Sequence, residues 1–158
     1  MITLALRSLI VQDSKALSQM LCAQLPEYIR FFYAFPFDEN SIAMMLAACQ
    51  NDIYYGAFAD DRLVGFFMLR GWDEDYNIPA FGVVVDQEFN GYGISSLGLE
   101  MAKSLCRLRK VERIMLKVNP ENIAGKTVYE RAGFLPTETE SLTGNIVYYY
   151  DIKPNSRK

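Results

Sequence analysis

The 158-residue sequence contains no histidine. This absence excludes serine and cysteine catalysis that depends on a histidine base, and it excludes histidine ligands for a metal. Any proton transfer must use a carboxylate, tyrosine, lysine, cysteine or water. Cysteine is scarce as well, since Cys22, Cys49 and Cys106 are widely spaced and odd in number. The pattern predicts reduced, partly buried thiols and a cytoplasmic protein, and it argues against a disulfide framework or a zinc site.

Charge of one sign and long apolar runs are also missing. The 16 basic and 19 acidic residues give a net charge of −3, and the basic residues form no cluster, so no nucleic-acid partner is predicted. No apolar window is long enough to span a bilayer, and the apolar run near the N-terminus is too short for a signal peptide. The 51% apolar and 22% charged content predicts one globular domain over residues 1–158, large enough to bury its own core.

The densest functional pattern lies within residues 81–134. A β-branched run, Val83 to Val85, leads through a polar corner into Gly91-Tyr92-Gly93 and then into an amphipathic helix. This order predicts a strand, a glycine turn and a helix N-terminus. The first N–H groups of a helix lack internal partners and carry partial positive charge, so such a junction suits an anion, phosphate above all. The two glycines either let the backbone approach that ligand or only shape the loop.

A Gly-x-Gly turn does not identify the ligand by itself. A Rossmann fingerprint would need a third glycine where the chain has Ser96, and a Walker A loop would need a following Gly-Lys-Ser/Thr. The second half of the pattern is more specific. After a predicted strand over residues 113–118, Asn122 is expected to cap a short helix that carries Tyr129 and ends at Gly133-Phe134.

Together the two halves resemble the GNAT superfamily of N-acetyltransferases, which transfer an acyl group from coenzyme A to an amine. The pyrophosphate loop of the family, Gln/Arg-x-x-Gly-x-Gly/Ala, is similar to residues 90–95, with Asn90 in place of Gln or Arg and Ser95 in place of Gly or Ala. The second family signature is an asparagine seven residues before a tyrosine, with Gly-Phe soon after. It matches Asn122, Tyr129 and the pair Gly133-Phe134. The resemblance covers about the last two thirds of the chain.

The resemblance implies that acetyl-CoA is the acyl donor and that no metal takes part. It implies that Tyr129 is the general acid for the departing thiolate, and that Val83 and Val85 pair their backbone with pantetheine like an added strand. The residues expected to bind the cofactor are Val83, Val85, Asn90, Gly91, Tyr92, Gly93, Ile94, Ser95 and Asn122.

Two stretches are candidates for the acceptor side. Residues 28–37 contain six aromatics, which either pack in the core or form a wall of the acceptor pocket, where Phe31 and Phe32 are the candidates. In the family, acceptor specificity varies between the first two strands. The connection over residues 71–77 is either a solvated loop or a source of groups that hold the amine or take its proton. Its candidate residues are Asp73, Glu74, Asp75 and Tyr76.

The rest of the chain predicts an α/β (α+β) fold with a mixed, mostly antiparallel central sheet of about seven strands and helices on both faces. Predicted strands cover residues 2–6, 53–59, 62–70, 113–118, 134–140 and 145–152, with another beginning near residue 79. Predicted helices cover residues 14–25, capped by Asp13, and 41–49, capped by Asp38 or Asn40. The helix after the glycine turn is expected to bury Ile94, Leu97, Met101, Leu105 and Leu108.

The sequence thus predicts an N-acetyltransferase that moves an acetyl group to the primary amine of a small molecule by direct attack, with an amino sugar as one candidate. Two alternatives remain open: acetylation of a protein N-terminal or side-chain amine, and a sensor that binds acyl-CoA without turnover. No nucleic-acid or membrane partner is expected, and a homodimer is possible.

Overall fold

Seven strands form one sheet in the computed structural model, which describes residues 1–152. The strands are β1 (Leu4–Ser8), β2 (Ile53–Ala59), β3 (Arg62–Arg70), β4 (Ala80–Val85), β5 (Arg113–Val118), β6 (Leu135–Thr139) and β7 (Ile146–Asp151). The helices are α1 (Ser14–Cys22), α2 (Pro26–Ile29), α3 (Glu39–Ala48), α4 (Ile94–Leu108) and α5 (Ile123–Arg131). The predicted mixed, mostly antiparallel sheet with helices on both faces is confirmed. The last residues of the predicted domain, 153–158, lie outside the described residues.

The strand order is β1-β2-β3-β4-β5-β7-β6. Every neighbouring pair is antiparallel except β4 and β5, which are parallel. The predicted hairpin of β2 and β3 turns at Asp60, which takes a positive φ of 52°. The apolar strand β3 lies in the interior of the sheet between β2 and β4. No helix among residues 1–152 is both long and apolar enough to cross a membrane.

A separate apolar core covers each face of the sheet. On the α4/α5 face, Leu99, Ala102 and Cys106 of α4 pack with Phe134 against the strands. On the α1/α3 face, the buried residues include Leu17 and Leu21 of α1 and Ile42 and Leu46 of α3. Partly buried aromatics from the segment after α2 pack on the second core: Phe32, Phe35 and Phe37.

The predicted buried face of α4 is wrong in part. Leu97 is 43% exposed and Leu108 is 80% exposed, whereas Gly98 and Ala102 are buried. An added Cβ on Gly98 would lie 1.9 Å from a ring carbon of Phe67, so the helix approaches the sheet through its small residues. A pattern based on large apolar side chains places the buried face about one residue away from the real one.

Several predicted boundaries and contacts also differ from the structure. The first strand is Leu4–Ser8, and α1 ends at Cys22, whose thiol is exposed and not partly buried as expected. Asp13 precedes α1 but does not cap it, because its carboxylate binds Arg7 at 2.9 Å and accepts the N–H of Ile10 at 2.8 Å. Asp38 does cap α3, accepting the N–H of Ser41 at 2.9 Å.

Candidate active site

A gap opens in the sheet between the parallel strands β4 and β5. The two strands pair at a single position, Ala80 with Met115, where the Met115 N–H donates to the Pro79 carbonyl at 2.9 Å. Beyond this pair the strands diverge without further pairing. A parallel ladder that stops after one pair leaves unpartnered peptide groups on the inner edges of both strands.

The register of β4 on β3 shows which peptide groups face this gap. The N–H of Asp86 donates to the carbonyl of Val64 on β3 at 2.8 Å. Because both peptide groups of a residue point to the same side and alternate residues point to opposite sides, the backbones of Phe81, Val83 and Val85 face away from β3, toward the gap. Apart from the Val85 carbonyl, which accepts the Tyr28 hydroxyl at 2.6 Å, these groups are suited to pair with an extended ligand that lies along β4.

A cavity of about 340 Å³ fills the gap and is lined from both faces of the sheet. Eight of the residues predicted from the sequence line it: Val83, Val85, Asn90, Ser95, Asn122, Tyr129, Phe31 and Phe32. Lining residues that sequence analysis did not single out include Tyr28, Lys117 and Asn119. The structure therefore brings half of the sixteen predicted site residues to one space, six from the cofactor side and two from the acceptor side.

The glycine turn leads from the cavity to the N-terminus of α4. Gly91 and Gly93 have φ values of 84° and 80°, a region that favours glycine because it has no Cβ. Gly93 occupies the N-cap position without a side-chain cap, so the first N–H groups of α4 remain available to an anion. Tyr92 is exposed and Ile94 is buried in the core. Any contact that residues 91–94 make with a ligand in this gap would therefore come mainly from their backbone.

Buried polar contacts hold the corner that precedes the turn. The Asp86 carboxylate is buried, accepts the N–H of Glu88 at 3.0 Å and binds Arg62 at 3.2 Å. Arg62 also binds Glu88 at 3.0 Å, and its guanidinium lies 4.9 Å from the centroid of the Phe89 ring. These carboxylates raise the pKa of Arg62, mainly through the hydrogen bond with Glu88. Sequence analysis missed Arg62 because its partners lie more than 20 residues away.

Tyr28 joins the corner to the opposite side of the cavity. Its hydroxyl donates to the Val85 carbonyl at 2.6 Å and lies 2.9 Å from Oδ1 of Asn90. Burial raises the pKa of Tyr28. Next to it, the N–H of Gln87 donates to Oε1 of Gln24 at 2.8 Å. Tyr28 was one of six aromatics in its stretch, and nothing in the local sequence distinguished it from the others.

Helix α5 carries Tyr129 into the cavity. Asn122 caps this helix, as predicted, because its Oδ1 accepts the N–H of Gly125 at 3.0 Å. Tyr129 is partly buried and packs 6.3 Å from the Phe134 ring, centroid to centroid. Burial raises the pKa of Tyr129 to about 12. Its hydroxyl makes no hydrogen bond to another residue among 1–152, so the structure leaves a protonated phenol free to act on a ligand in the cavity.

The aromatic segment after α2 forms the opposite wall. The Phe32 ring meets Phe35 edge-on at 5.6 Å and Phe66 of β3 at 6.2 Å, centroid to centroid. Beyond the wall, Nδ2 of Asn145 donates to the Tyr33 hydroxyl at 3.0 Å. The segment is thus attached both to the core under the sheet and to the connection between β6 and β7.

The acidic connection between β3 and β4 is not brought to the cavity. The Asp73 carboxylate accepts the N–H groups of Gln50, Asn51 and Asp52 at 3.0, 2.6 and 3.3 Å. These bonds, that of Gln50 foremost, lower the pKa of Asp73. The other three candidates are exposed and do not line the cavity: Glu74, Asp75 and Tyr76. Within residues 1–152, no group of three or more acidic or cysteine side chains is placed to hold a metal.

Comparison with known proteins identifies the family. The sequence model of the Acetyltransferase (GNAT) family matches residues 17–134, and no curated protein sequence matches the chain. PaiA N-acetyltransferase from Thermoplasma acidophilum, solved with coenzyme A, is 16% identical with a TM-score of 0.80, over 94% of this chain and 99% of that one.

Two further solved structures have the same fold. A GNAT-family acetyltransferase from Streptococcus pneumoniae is 17% identical, with a TM-score of 0.78 over 96% of this chain and 100% of that one. An acetyltransferase from Salmonella typhimurium that modifies the N-terminal serine of ribosomal protein L7/L12 is 19% identical, with a TM-score of 0.79 over 96% of each chain. Identities this low establish the fold alone, and the match to the family model covers most of the sequence. The chain therefore belongs to the GNAT family of acetyltransferases.

Proposed function

We propose that this protein transfers the acetyl group of acetyl-CoA to the primary amine of a small molecule by direct attack. The observation that carries the proposal is the gap between β4 and β5, where the backbones of Phe81, Val83 and Val85 face a cavity that also contains Tyr129. The cavity therefore combines a strand edge for an extended ligand with a phenol that can donate a proton.

The residues around the gap fit coenzyme A. The first N–H groups of α4, after Gly93, would take the pyrophosphate, and the peptide groups of Val83 and Val85 would pair with pantetheine. These contacts come from the backbone, so Asn90 and Ser95 can replace the more usual family residues without removing them. Bound acetyl-CoA supplies an activated acetyl thioester, and the chain binds it, orients it and provides the acid.

Tyr129 would protonate the departing thiolate. Since burial raises its pKa to about 12, the phenol stays protonated at neutral pH and can donate but not accept a proton there. A thiol has a reference pKa of about 8.5, so complete transfer from the buried phenol is uphill. Tyr129 would donate its proton to the sulfur as the C–S bond breaks, and it would recover a proton from water afterwards. The acceptor amine must be neutral when it attacks. We propose no residue as the base that removes the proton of the ammonium form.

Two contacts at the edge of the acceptor side favour a small acceptor. Tyr33 and Asn145 meet at 3.0 Å beyond the aromatic wall, and Arg30 approaches Glu121 at 3.5 Å between α2 and α5. A peptide acceptor would need a more open groove. Acetylation of a protein N-terminus is the second candidate, because the Salmonella typhimurium structure is an enzyme of that kind.

Thermal unfolding with acetyl-CoA, free CoA and ATP tests the cofactor. A ligand at about 100 times its dissociation constant adds roughly 2.7 kcal/mol to the native state, which gives a shift of several degrees. We expect acetyl-CoA and CoA to stabilise the protein and ATP not to do so. Release of CoA thiol with a panel of amines then identifies acceptors. A protein that none of the three ligands stabilises would contradict the proposal.

A pair of glycine variants gives this test a matched control. Gly93→Val and Gly144→Val both force a side chain onto a positive φ, 80° and 75°, and neither glycine has an atom within 4 Å of an added Cβ. Both variants should therefore lose similar stability without ligand. Only Gly93→Val should lose the shift caused by CoA, because Gly93 is the N-cap residue of α4, whereas Gly144 lies in the connection between β6 and β7.

Cellular location and assembly belong to the proposal as well. The unpaired cysteines are compatible with a reducing compartment, and we expect the protein in the cytoplasm. A homodimer stays a prediction, which the molar mass in solution would test.

A further inference from the structure

Lys117 is a cationic side chain on the acceptor side of the cavity. Side chains of β5 alternate, and Leu116 and Val118 are buried in the core of the α4/α5 face. Lys117 therefore points to the α1/α3 face, which also holds Phe31 and Phe32. It lines the cavity with a side chain that is 45% exposed. A ligand that enters from this face can reach the ammonium group.

One carboxylate holds this lysine. Nζ of Lys117 lies 2.6 Å from Oε2 of Glu140, and Glu140 also accepts the Thr143 hydroxyl at 2.7 Å. The bond with Lys117 is the main reason that the pKa of Glu140 is lowered. An ammonium has three donors, and Glu140 is its single ion-pair partner among residues 1–152. A partly exposed pair of this kind is weak, so the anion of a ligand can replace Glu140.

We propose that the acceptor carries an anionic group, a carboxylate or a phosphate, which binds Lys117 while the apolar part of the acceptor lies against Phe31 and Phe32. Lys117 and Tyr129 approach the cavity from opposite faces of the sheet. An acceptor held by Lys117 on one face thus presents its amine to a thioester held from the other. The inference rests on the proposed function, because it names the class of acceptor for that site.

Matched acceptor pairs test the inference. Each pair keeps the amine and removes the anion: phenylalanine with phenylalaninamide, 4-(aminomethyl)benzoate with its amide, and O-phosphoethanolamine with ethanolamine. CoA thiol release gives kcat/KM for each member, in the wild type and in Lys117→Gln, Lys117→Arg and Glu140→Gln. The first two pairs probe a carboxylate and the third a phosphate.

Opposite effects are expected at the two ends of the ion pair. In the wild type, the anionic member of at least one pair should be preferred about tenfold or more, since that ratio corresponds to about 1.4 kcal/mol of binding. Lys117→Gln should reduce the preference to about threefold or less, and Lys117→Arg should keep most of it, because the cation remains. Glu140→Gln should increase the preference, because it removes the competing anion.

Three outcomes would overturn the inference: neutral members that are turned over as well as anionic ones, a preference that survives Lys117→Gln, or turnover of no member of any pair. If the ion pair of Lys117 and Glu140 serves only to join β5 to the connection after β6, Lys117→Gln and Glu140→Gln will both lower the unfolding temperature. The preference for anionic acceptors will then stay unchanged. Stabilisation by CoA separates these failures from failure of the proposed function. A protein that binds CoA but prefers neutral amines keeps its proposed function and loses only the anionic acceptor.

Discussion

The α4/α5 face of the sheet and the α1/α3 face both line the cavity, but they are built in different ways. On the α4/α5 face, the site depends on backbone geometry. This geometry comes from the turn at Gly91 and Gly93, the N-terminus of α4 that follows the turn, and the N-terminus of α5, which Asn122 caps. On the α1/α3 face, it depends on the side chains of Phe31 and Phe32, and the Phe32 ring packs in an aromatic cluster.

This difference indicates how each face recognises its ligand. If the α4/α5 face binds the pyrophosphate through backbone N–H groups, as proposed, Asn90 and Ser95 should not prevent binding at positions where the family has other residues. Aromatic and charged side chains discriminate between ligands by shape and charge. We therefore expect substitutions on the α4/α5 face to change cofactor binding and chemistry, and substitutions on the α1/α3 face to change acceptor choice.

The largest effect is expected from Tyr129→Phe. Losing a positioned general acid typically costs on the order of 10²- to 10⁴-fold in rate, whereas the ring that packs near Phe134 is kept. The kcat for CoA release should fall by this amount, with little change in the KM for acetyl-CoA. Tyr149→Phe is the control, because Tyr149 lies outside the cavity. Equal rates in Tyr129→Phe and the wild type would exclude Tyr129 as the acid.

The pH dependence of the same reaction follows from the raised pKa of Tyr129. The protonated phenol is the active form, and burial raises its pKa to about 12. Loss of the acid therefore begins only as the pH approaches that value. Initial rates measured from pH 7 to 10 should show no fall that belongs to Tyr129, and a fall centred near pH 10, the ordinary value for a phenol, would contradict the assignment.

The next largest effect is expected on stability, from Gly98→Ala in α4. An added Cβ would lie 1.9 Å from the Phe67 ring. That ring is fully buried and stacks on Tyr55 with centroids 5.1 Å apart, so it cannot move aside. Overpacking of this kind typically costs about 1–3 kcal/mol. Urea denaturation measures the loss, with Ser104→Ala as an exposed control on the same helix, and an unchanged midpoint for Gly98→Ala would show that α4 can shift from the sheet.

Gly98 also illustrates how much the sequence predicts. The turn at Gly93 and the cap at Asn122 were predictable, because backbone geometry there is set by adjacent residues. The packing of α4 was not predictable from large apolar residues, since the contact runs through glycine and alanine. Tyr28 and Lys117 were missed because their roles depend on strands and connections distant in sequence.

A smaller loss of stability is expected from Asp73→Ala. Backbone hydrogen bonds, first that of Gln50, lower the pKa of Asp73. A lowered pKa adds stability above the unfolded-state value of about 3.9, and that stability is lost as the pH falls through the folded-state pKa. Asp73→Ala should therefore be less stable than the wild type at pH 7, and the difference should narrow below about pH 4.

The control for Asp73 is Glu74→Ala, in the same connection and exposed. Unfolding free energies between pH 3 and 7 should show the pH-dependent gap for Asp73→Ala alone. Rates of acetyl transfer should be the same in both variants, because neither side chain lines the cavity. If the KM for the acceptor rises in Asp73→Ala and not in Glu74→Ala, the connection between β3 and β4 contributes to acceptor binding.

The smallest effect is expected from Tyr28→Phe, which removes the contact between the two faces. The Tyr28 hydroxyl donates to the Val85 carbonyl at 2.6 Å, and a hydrogen bond of this kind contributes about 0.5–1.5 kcal/mol to stability. Tyr28 precedes Phe31 and Phe32, which form the acceptor wall of the cavity. Loss of the Tyr28 hydroxyl should therefore loosen this wall more than the core. Amide hydrogen exchange over residues 24–32 should become faster, while exchange in β2 and β3 changes little.

Coenzyme A makes this last prediction specific to the site. If Tyr28 connects the faces, CoA bound along β4 should slow exchange over residues 24–32 in the wild type and slow it less in Tyr28→Phe. Tyr33→Phe is the matched control, since its hydroxyl contacts Asn145 and not β4. Equal protection by CoA in all three proteins would mean that the acceptor wall is held by its aromatic contacts alone, and the two faces would then recognise their ligands independently.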